Sequence, residues 1–214
     1  MWLSRIVRWL AVLGDFVLPQ HPHVKRAGHI TENGLALRIQ PREIPGAKWI
    51  TTFLPYHDPE VRAVIKSIKY YADRESAVKV ARAISPHVSD ILSEKNSFAG
   101  WDLIVIIPIP ASKKRYRERG YTQTELIARA LSSETGVPID TVSLSRDDRP
   151  SQAHIQKSER KNNISMAFTS SGGVRGKCVA LVDDVVESGA TLTDARRALL
   201  AAGAKDVIAF AIAH

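Results

Sequence analysis

A single cysteine, Cys178, is all the thiol chemistry in this 214-residue chain. One sulfur excludes an internal disulfide and any zinc site built from a cysteine cluster. Cys178 reads instead as a small apolar filler at the start of a strand. Long hydrophobic runs are also missing. The stretch from Trp2 to Leu18 is apolar, but Arg5, Arg8 and Asp15 interrupt it, so it is too short and too charged to span a bilayer. It also makes a poor signal peptide, because the uncharged run between Arg8 and Asp15 is brief. The expectation is a cytoplasmic protein with no membrane span. No internal repeat and no low-complexity linker is present. Acids are the scarcer charge, 22 against 30 Lys and Arg, and the net charge of +8 favours anionic partners: phosphorylated metabolites, nucleic acid or an acidic surface.

What is present is ordinary globular material, 44% hydrophobic and 24% charged. The length suits one domain, residues 49–214, with an appendage, residues 1–48. Apolar residues at helical spacing (Ile6, Trp9, Leu10, Leu13, Phe16, Val17) predict a helix over 2–18 that packs on the body of the protein. From Pro19 to Pro45 the chain is polar, and Asn33-Gly34 between short apolar stretches predicts a small hairpin. His21, His23 and His29 lie here without a ligand spacing and read as solvated loop residues. Trp49 to Tyr56 reads as a strand. Asp58-Pro59 then opens a helix, with Val61, Val64, Ile65 and Ile68 as its buried stripe. A second helix covers Arg74 to Leu92, with an interruption expected before Pro86.

The most informative stretch is Val179 to Thr191, VALVDDVVESGAT. Its apolar start is that of a strand buried on both faces of a parallel sheet. Asp183 and Asp184 follow, then Ser188, Gly189, Ala190 and Thr191, then an apolar-periodic helix to about Ala202. A small Gly-containing turn entering a helix presents backbone N–H groups to a phosphate. Paired carboxylates suit hydroxyls or a divalent cation. Together they describe a site for a ribose 5-phosphate. The segment Gly172 to Cys178 is no phosphate loop of the nucleotide-triphosphatase kind: it is one residue short, ends in Cys, and precedes its strand. A second buried strand, Asp102 to Pro110, ends in a proline turn followed by Lys113, Lys114, Arg115, Arg117 and Arg119, then a helix over Tyr121 to Leu131. This cluster suits pyrophosphate or a nucleic-acid backbone, and equally a solvated basic helix face. Lys177 to Asp183 and Lys205 to Ile212 complete the sheet, with Gly203 ending the helix between them.

VALVDDVVESGAT resembles the signature of the type I phosphoribosyltransferases, which bind 5-phosphoribosyl-1-pyrophosphate (PRPP). Glu187 departs from it, standing where that family usually has a small residue or Thr. Other stretches resemble the ComF branch, associated with competence: IPIPASKKRYRERGYTQ, with Thr122 where that branch has Asn; the Lys69 helix; and Gln152, Glu159-Arg160, Asn163 and Phe168. The usual N-terminal Cys-rich zinc module is lacking. The resemblance implies an α/β fold, an open, mostly parallel twisted sheet flanked by helices, here with a helix and hairpin appendage. It implies transfer of a phosphoribosyl group to a nitrogen acceptor, such as a nucleobase, with release of pyrophosphate and with Mg²⁺ as cofactor. Asp183 and Asp184 would hold the ribose hydroxyls, directly or through Mg²⁺. Glu187, Ser188, Gly189, Ala190 and Thr191 would cradle the 5-phosphate. Ile109, Pro110, Ala111, Ser112 and Lys113 would form the pyrophosphate loop. Residues 146–158 would be a mobile loop, with Arg146, Arg149 and Gln152, and Arg160 just beyond it, meeting the pyrophosphate. Two alternatives stay open: a PRPP-binding module without catalysis, and a DNA-uptake accessory that holds single-stranded DNA on residues 113–119.

Overall fold

The computed structural model describes residues 22–147 and 167–214. The helix expected over 2–18, His21, Arg149, Gln152 and Arg160 lie outside the described residues.

The chain enters through two short helices, α1 (Pro22–His29) and α2 (Glu32–Ala36). Next come strands β1 (Arg42–Ile44) and β2 (Ala47–Leu54), and helices α3 (Pro59–Tyr71) and α4 (Arg74–Ala99). Strand β3 (Ile104–Pro108) leads to α5 (Lys113–Arg119) and α6 (Gln123–Thr135). A two-stranded ribbon, β4 (Leu144–Arg146) and β5 (Phe168–Ser170), precedes β6 (Cys178–Val185), α7 (Ala190–Ala201) and β7 (Asp206–Ala213).

The main sheet has the order β1-β2-β7-β6-β3, with β1 antiparallel to β2 and the other pairs parallel. Successive residues of a strand face opposite sides of the sheet, and both sides here are covered. On β6, Ala180 and Val182 join the core beneath α3, α4 and α6, while Val179 and Leu181 join the core beneath α7. This explains why the strand reads as a continuous apolar run. Cys178 is buried at its start, as its filler role requires. The architecture is the mostly parallel, helix-flanked sheet expected.

Three local expectations are corrected. Asn33-Gly34 does not turn a hairpin. Thr31 caps α2 instead, its hydroxyl accepting from Gly34 N at 3.0 Å. The N-terminal hairpin is β1–β2, turned at Pro45-Gly46, where Gly46 takes φ +79°. His23 and His29 accordingly sit on α1, not in a loop. The α4 helix is not interrupted at Pro86. Proline has no N–H for the carbonyl four residues earlier, and here the Ser85 hydroxyl donates to that carbonyl, Arg82 O, at 3.2 Å. Ile84 and Val88, on either side of the proline, are fully buried, which holds the helix on the sheet.

Residues 22–44 share the same interior. Ala27, Ile30 and Leu35 are buried in one cluster with Val64, Ile68 and Ile84. Arg38 ties this segment to α3 through ion pairs with Asp58 (3.1 Å) and Glu60.

Candidate functional site

The carboxyl ends of the parallel strands share one edge, where ligands sit in open α/β sheets. Asp183 and Asp184 stand there, inside β6 and not beyond it. Each is only 8% exposed. Asp183 Oδ1 accepts from Asp184 N at 2.9 Å. Burial, and then the neighbouring Asp184 charge, push the Asp183 carboxyl up to about 8. The positive charge of Arg146 acts in the opposite direction without prevailing. Asp184 Oδ1 accepts from Val185 N at 3.0 Å, and Oδ2 accepts from Gln123 Nε2 at 3.3 Å. Lys69 Nζ lies 4.0 Å from the same Oδ2.

After β6, Val186 N donates to Ala213 O at 3.0 Å, pinning the turn to β7. Gly189 takes φ +74° and precedes the first residue of α7, a cap position without a side chain to accept from the helix's first N–H groups. Ser188 Oγ accepts from Ala190 N at 3.4 Å. The turn and the two aspartates wall a cavity of about 260 Å³, which Tyr56 and Lys69 also line. Glu187 lines it while remaining exposed. Burial, then the Asp184 charge, raise the Tyr56 phenol above its ordinary value. All the residues assigned from sequence to the 5-phosphate and ribose are thus in one cavity.

The turn assigned to pyrophosphate is a neighbour of that cavity and does not line it. Pro108 pairs with Val182, and Ile109 N donates to Val182 O at 2.9 Å, which sets the turn beside the start of the acidic pair. Thr124 Oγ1 donates to Ile109 O at 2.7 Å. Ser112 caps α5, accepting from Arg115 N at 3.3 Å. The α5 helix buries no residue. Arg146 ends the short strand β4, its guanidinium 5.3 Å from the Phe168 ring. Asp194 on α7, only 4% exposed, accepts from Ala167 N at 2.7 Å and so anchors the opposite side of that ribbon.

Sequence reading assigned no site role to Tyr56, Lys69 or Gln123. Gln123 and its neighbours form a frame. Arg119 donates to Gln123 Oε1 at 3.3 Å, and Gln123 in turn donates to Asp184. Thr122 caps α6 by accepting from Glu125 N at 3.1 Å, so the helix starts at Gln123 and not at Tyr121. Tyr121 OH accepts from Ala72 N at 2.9 Å and donates to Lys69 O at 3.1 Å. The Lys69 and Gly120-Tyr121 motifs were visible in the sequence. That they meet, 52 residues apart, was not.

The model of the phosphoribosyl transferase domain matches residues 75–214. The DNA utilization protein YhgH of Salmonella typhimurium is 26% identical over 71% of this chain and 66% of its own length. The competence protein ComFC of Bacillus subtilis is 29% identical over 67% of this chain and 55% of its own. ComFC of Streptococcus pneumoniae is 34% identical over 50% and 46%. The chain therefore spans less than two thirds of the length of these relatives. Among solved structures, the glutamine PRPP amidotransferase of B. subtilis is 20% identical and covers 59% of this chain and 25% of its own, with a TM-score of 0.37. A hypoxanthine phosphoribosyltransferase of Staphylococcus aureus is 11% identical over 64% and 62%, also with a TM-score of 0.37.

Proposed function

Since the chain belongs to the phosphoribosyl transferase domain family, we propose that its acidic cavity binds PRPP and that it transfers the 5-phosphoribosyl group to a nitrogen acceptor. The observation that supports this reading most is the single cavity shared by Asp183, Asp184, the Glu187–Thr191 turn and Lys69. In the transfer, the bond from C1 to pyrophosphate breaks, the leaving oxygen takes the electron pair, and the acceptor nitrogen forms the new bond to C1. Positive charge grows on the sugar while negative charge grows on the leaving group, so fixed charges of both signs lower the barrier. Asp183 and Asp184 hydrogen-bond the ribose hydroxyls, and the Asp184 carboxylate faces the developing cation. The backbone of Ser188 to Thr191 holds the 5-phosphate at the start of α7. Lys69 and the Ile109–Lys113 turn, which neighbours the cavity, meet the pyrophosphate, with Arg146 as a further cation. Arg149, Gln152 and Arg160 would cover the pyrophosphate from the 146–160 segment.

The donor set suits Mg²⁺. No group of three or more His, Cys, Asp or Glu residues is placed to hold a metal among the described residues, and Mg²⁺ typically takes only one or two protein carboxylates beside substrate oxygens. Asp183 and Asp184 would hold it, and it would neutralise charge on the pyrophosphate.

Calorimetric titration of PRPP with Mg²⁺ tests the reading. The Asp183→Asn/Asp184→Asn protein should bind about 10–100-fold more weakly, the loss expected for hydrogen bonds to charged groups. Equal binding by wild type and double mutant sinks the assignment. Product formation across a panel of nucleobases separates an enzyme from a binding module.

A second reading is favoured by α5, which carries Lys113, Lys114, Arg115, Arg117 and Arg119, buries no side chain and leaves Tyr116 51% exposed. Cations beside an exposed ring suit single-stranded DNA, and the relatives are named for DNA utilization and competence. Affinity for an oligonucleotide should fall steeply with salt. Its absence at low salt ends this reading.

A further inference from the structure

Tyr121 serves two places at once. Its hydroxyl holds Ala72 N and Lys69 O, beside the acidic cavity. It also lines a groove of about 480 Å³ that shares no lining residue with that cavity. The groove runs between the start of α4 and the first turns of α6. Its floor is apolar, with Val78 and Leu126, and its volume lies in the ~300–1,000 Å³ range of small-molecule sites. The cavity at Asp183 and Asp184, at about 260 Å³, falls below that range.

The rim defines the ligand. Arg129 is committed to Glu125, with Nε and Nη2 at 2.9 and 2.7 Å from Oε1. The Arg74 guanidinium has no partner among the described residues and is exposed at the first residue of α4. The rim therefore carries one unneutralised cation, in the planar fork that recognises phosphate bidentately. Tyr116, half exposed on α5, and Tyr121 supply two aromatic rings. Aromatic rings above an apolar floor accept a flat base, and the fork accepts its phosphate.

Tyr121 also sits where a small push matters. Ala72 is the one non-glycine residue with positive φ (+53°) among those described. A left-handed alanine is strained and persists only when its surroundings hold it. The Tyr121 hydroxyl is one such restraint. Three residues earlier, Lys69 sends its side chain toward Asp184.

We propose that this groove is a second site, for a mononucleotide, and that Tyr121 carries its occupancy to Lys69. A base packed on the Tyr121 ring fixes the phenol, steadies the end of α3 and keeps Lys69 on the acidic cavity. Binding in the groove and binding in the cavity then strengthen each other reciprocally. The coupling rests on the phosphoribosyl reading; the groove does not.

The test titrates AMP into the full chain by calorimetry, then PRPP with Mg²⁺, with and without saturating AMP. AMP should bind wild type, and about tenfold or more weaker to Arg74→Ala or Tyr116→Ala. AMP should raise PRPP affinity by about fivefold, and this gain should vanish in Tyr121→Phe. If Tyr121→Phe fails to fold, Ala72→Gly takes its place: it removes the strain, and the gain should fall below about twofold. The proposal is overturned if AMP does not bind at millimolar concentration, or if Arg74→Ala binds it normally. It is also overturned if AMP lowers PRPP affinity, which marks competition in the acidic cavity. Arg74-dependent binding of an oligonucleotide without binding of AMP overturns it too, giving the groove to a polymer. PRPP binding measured without AMP reports on the phosphoribosyl reading separately: its absence, with AMP still held by Arg74, fells that reading and leaves the groove.

Discussion

Asp183 stores a conflict that shows itself in pH dependence. Its carboxyl is raised to about 8 by burial and by Asp184, so between pH ~4 and ~8 the folded chain holds a proton there that the unfolded chain has released. Folding stability in metal-free buffer should therefore fall as pH rises through that window. Thermal melts of wild type and Asp183→Asn between pH 5 and pH 8 check this: the wild-type curve should slope downward, and the variant should lose part of the slope. Equal slopes would place the penalty elsewhere. Gly189 carries a different constraint. Its φ is +74°, and a Cβ there would stand 3.1 Å from Ile50 Cδ1. Gly189→Ala should cost about 1–2 kcal/mol through its left-handed backbone, measured by urea unfolding, and should weaken PRPP binding with it. The acidic pair and the glycine turn were legible from side-chain chemistry alone. The places of Tyr56 and Gln123 were not, because nothing local to either residue points at Asp184.

The helices α3 and α4 start where the sequence says, while α6 starts two residues later than expected and α1 and α2 form where a loop and a hairpin were expected. Asp58 caps α3 by accepting from Glu60 N (2.7 Å) and Val61 N (3.2 Å), and it also accepts from Arg38 Nε at 3.1 Å. Burial would lift its carboxyl, but these partners hold it below the ordinary carboxylate range. Asp58→Ala should cost about 1–2 kcal/mol at neutral pH. Because the folded group is the stronger acid, that contribution is lost as pH falls through its depressed value, so the difference between the two proteins should shrink in acid. Urea unfolding at pH 7 and pH 3 measures it; an undiminished difference at pH 3 would assign the loss to packing. Asp58-Pro59 was readable because a cap is local. Asn33-Gly34 misled because the same pair fits a turn or a capped helix, and Thr31, two residues before Asn33, decides between them. Pro86 misled because a hydroxyl one residue earlier accepts the role that the missing N–H vacated. The strands β6 and β3 were the plainest elements, since burial on both faces forces an unbroken apolar run.

At the scale of the molecule, the division at residue 48 meets a shared interior. Leu35 is fully buried with Val64, Ile68 and Ile84 on the helices that follow. A chain beginning at residue 49 loses that filling and the β1 edge. It should melt at lower temperature than the full chain and expose apolar surface on α3 and α4, read by dye binding. An unchanged melting temperature would establish residues 49–214 as self-sufficient. Composition had set the size class and the cationic excess. It could not show that Ala27, Ile30 and Leu35 face inward, because they are few in a polar, histidine-bearing segment.

The strand order has one more consequence. β7 lies at the centre of the main sheet, between β2 and β6, yet it is synthesised after both. Ile50 must wait for Ala209 before it can pair, while β1 and β2 can pair with each other at once. At ~5–20 residues per second, the ribosome takes on the order of ten seconds to bridge that gap. Throughout it, β2 presents an open apolar edge to the cell, and β6 adds a second once residue 185 has been made. Newly made chains stalled before residue 206 should therefore be held by chaperones and cut readily by protease, and the central strand's arrival should end both at one stroke.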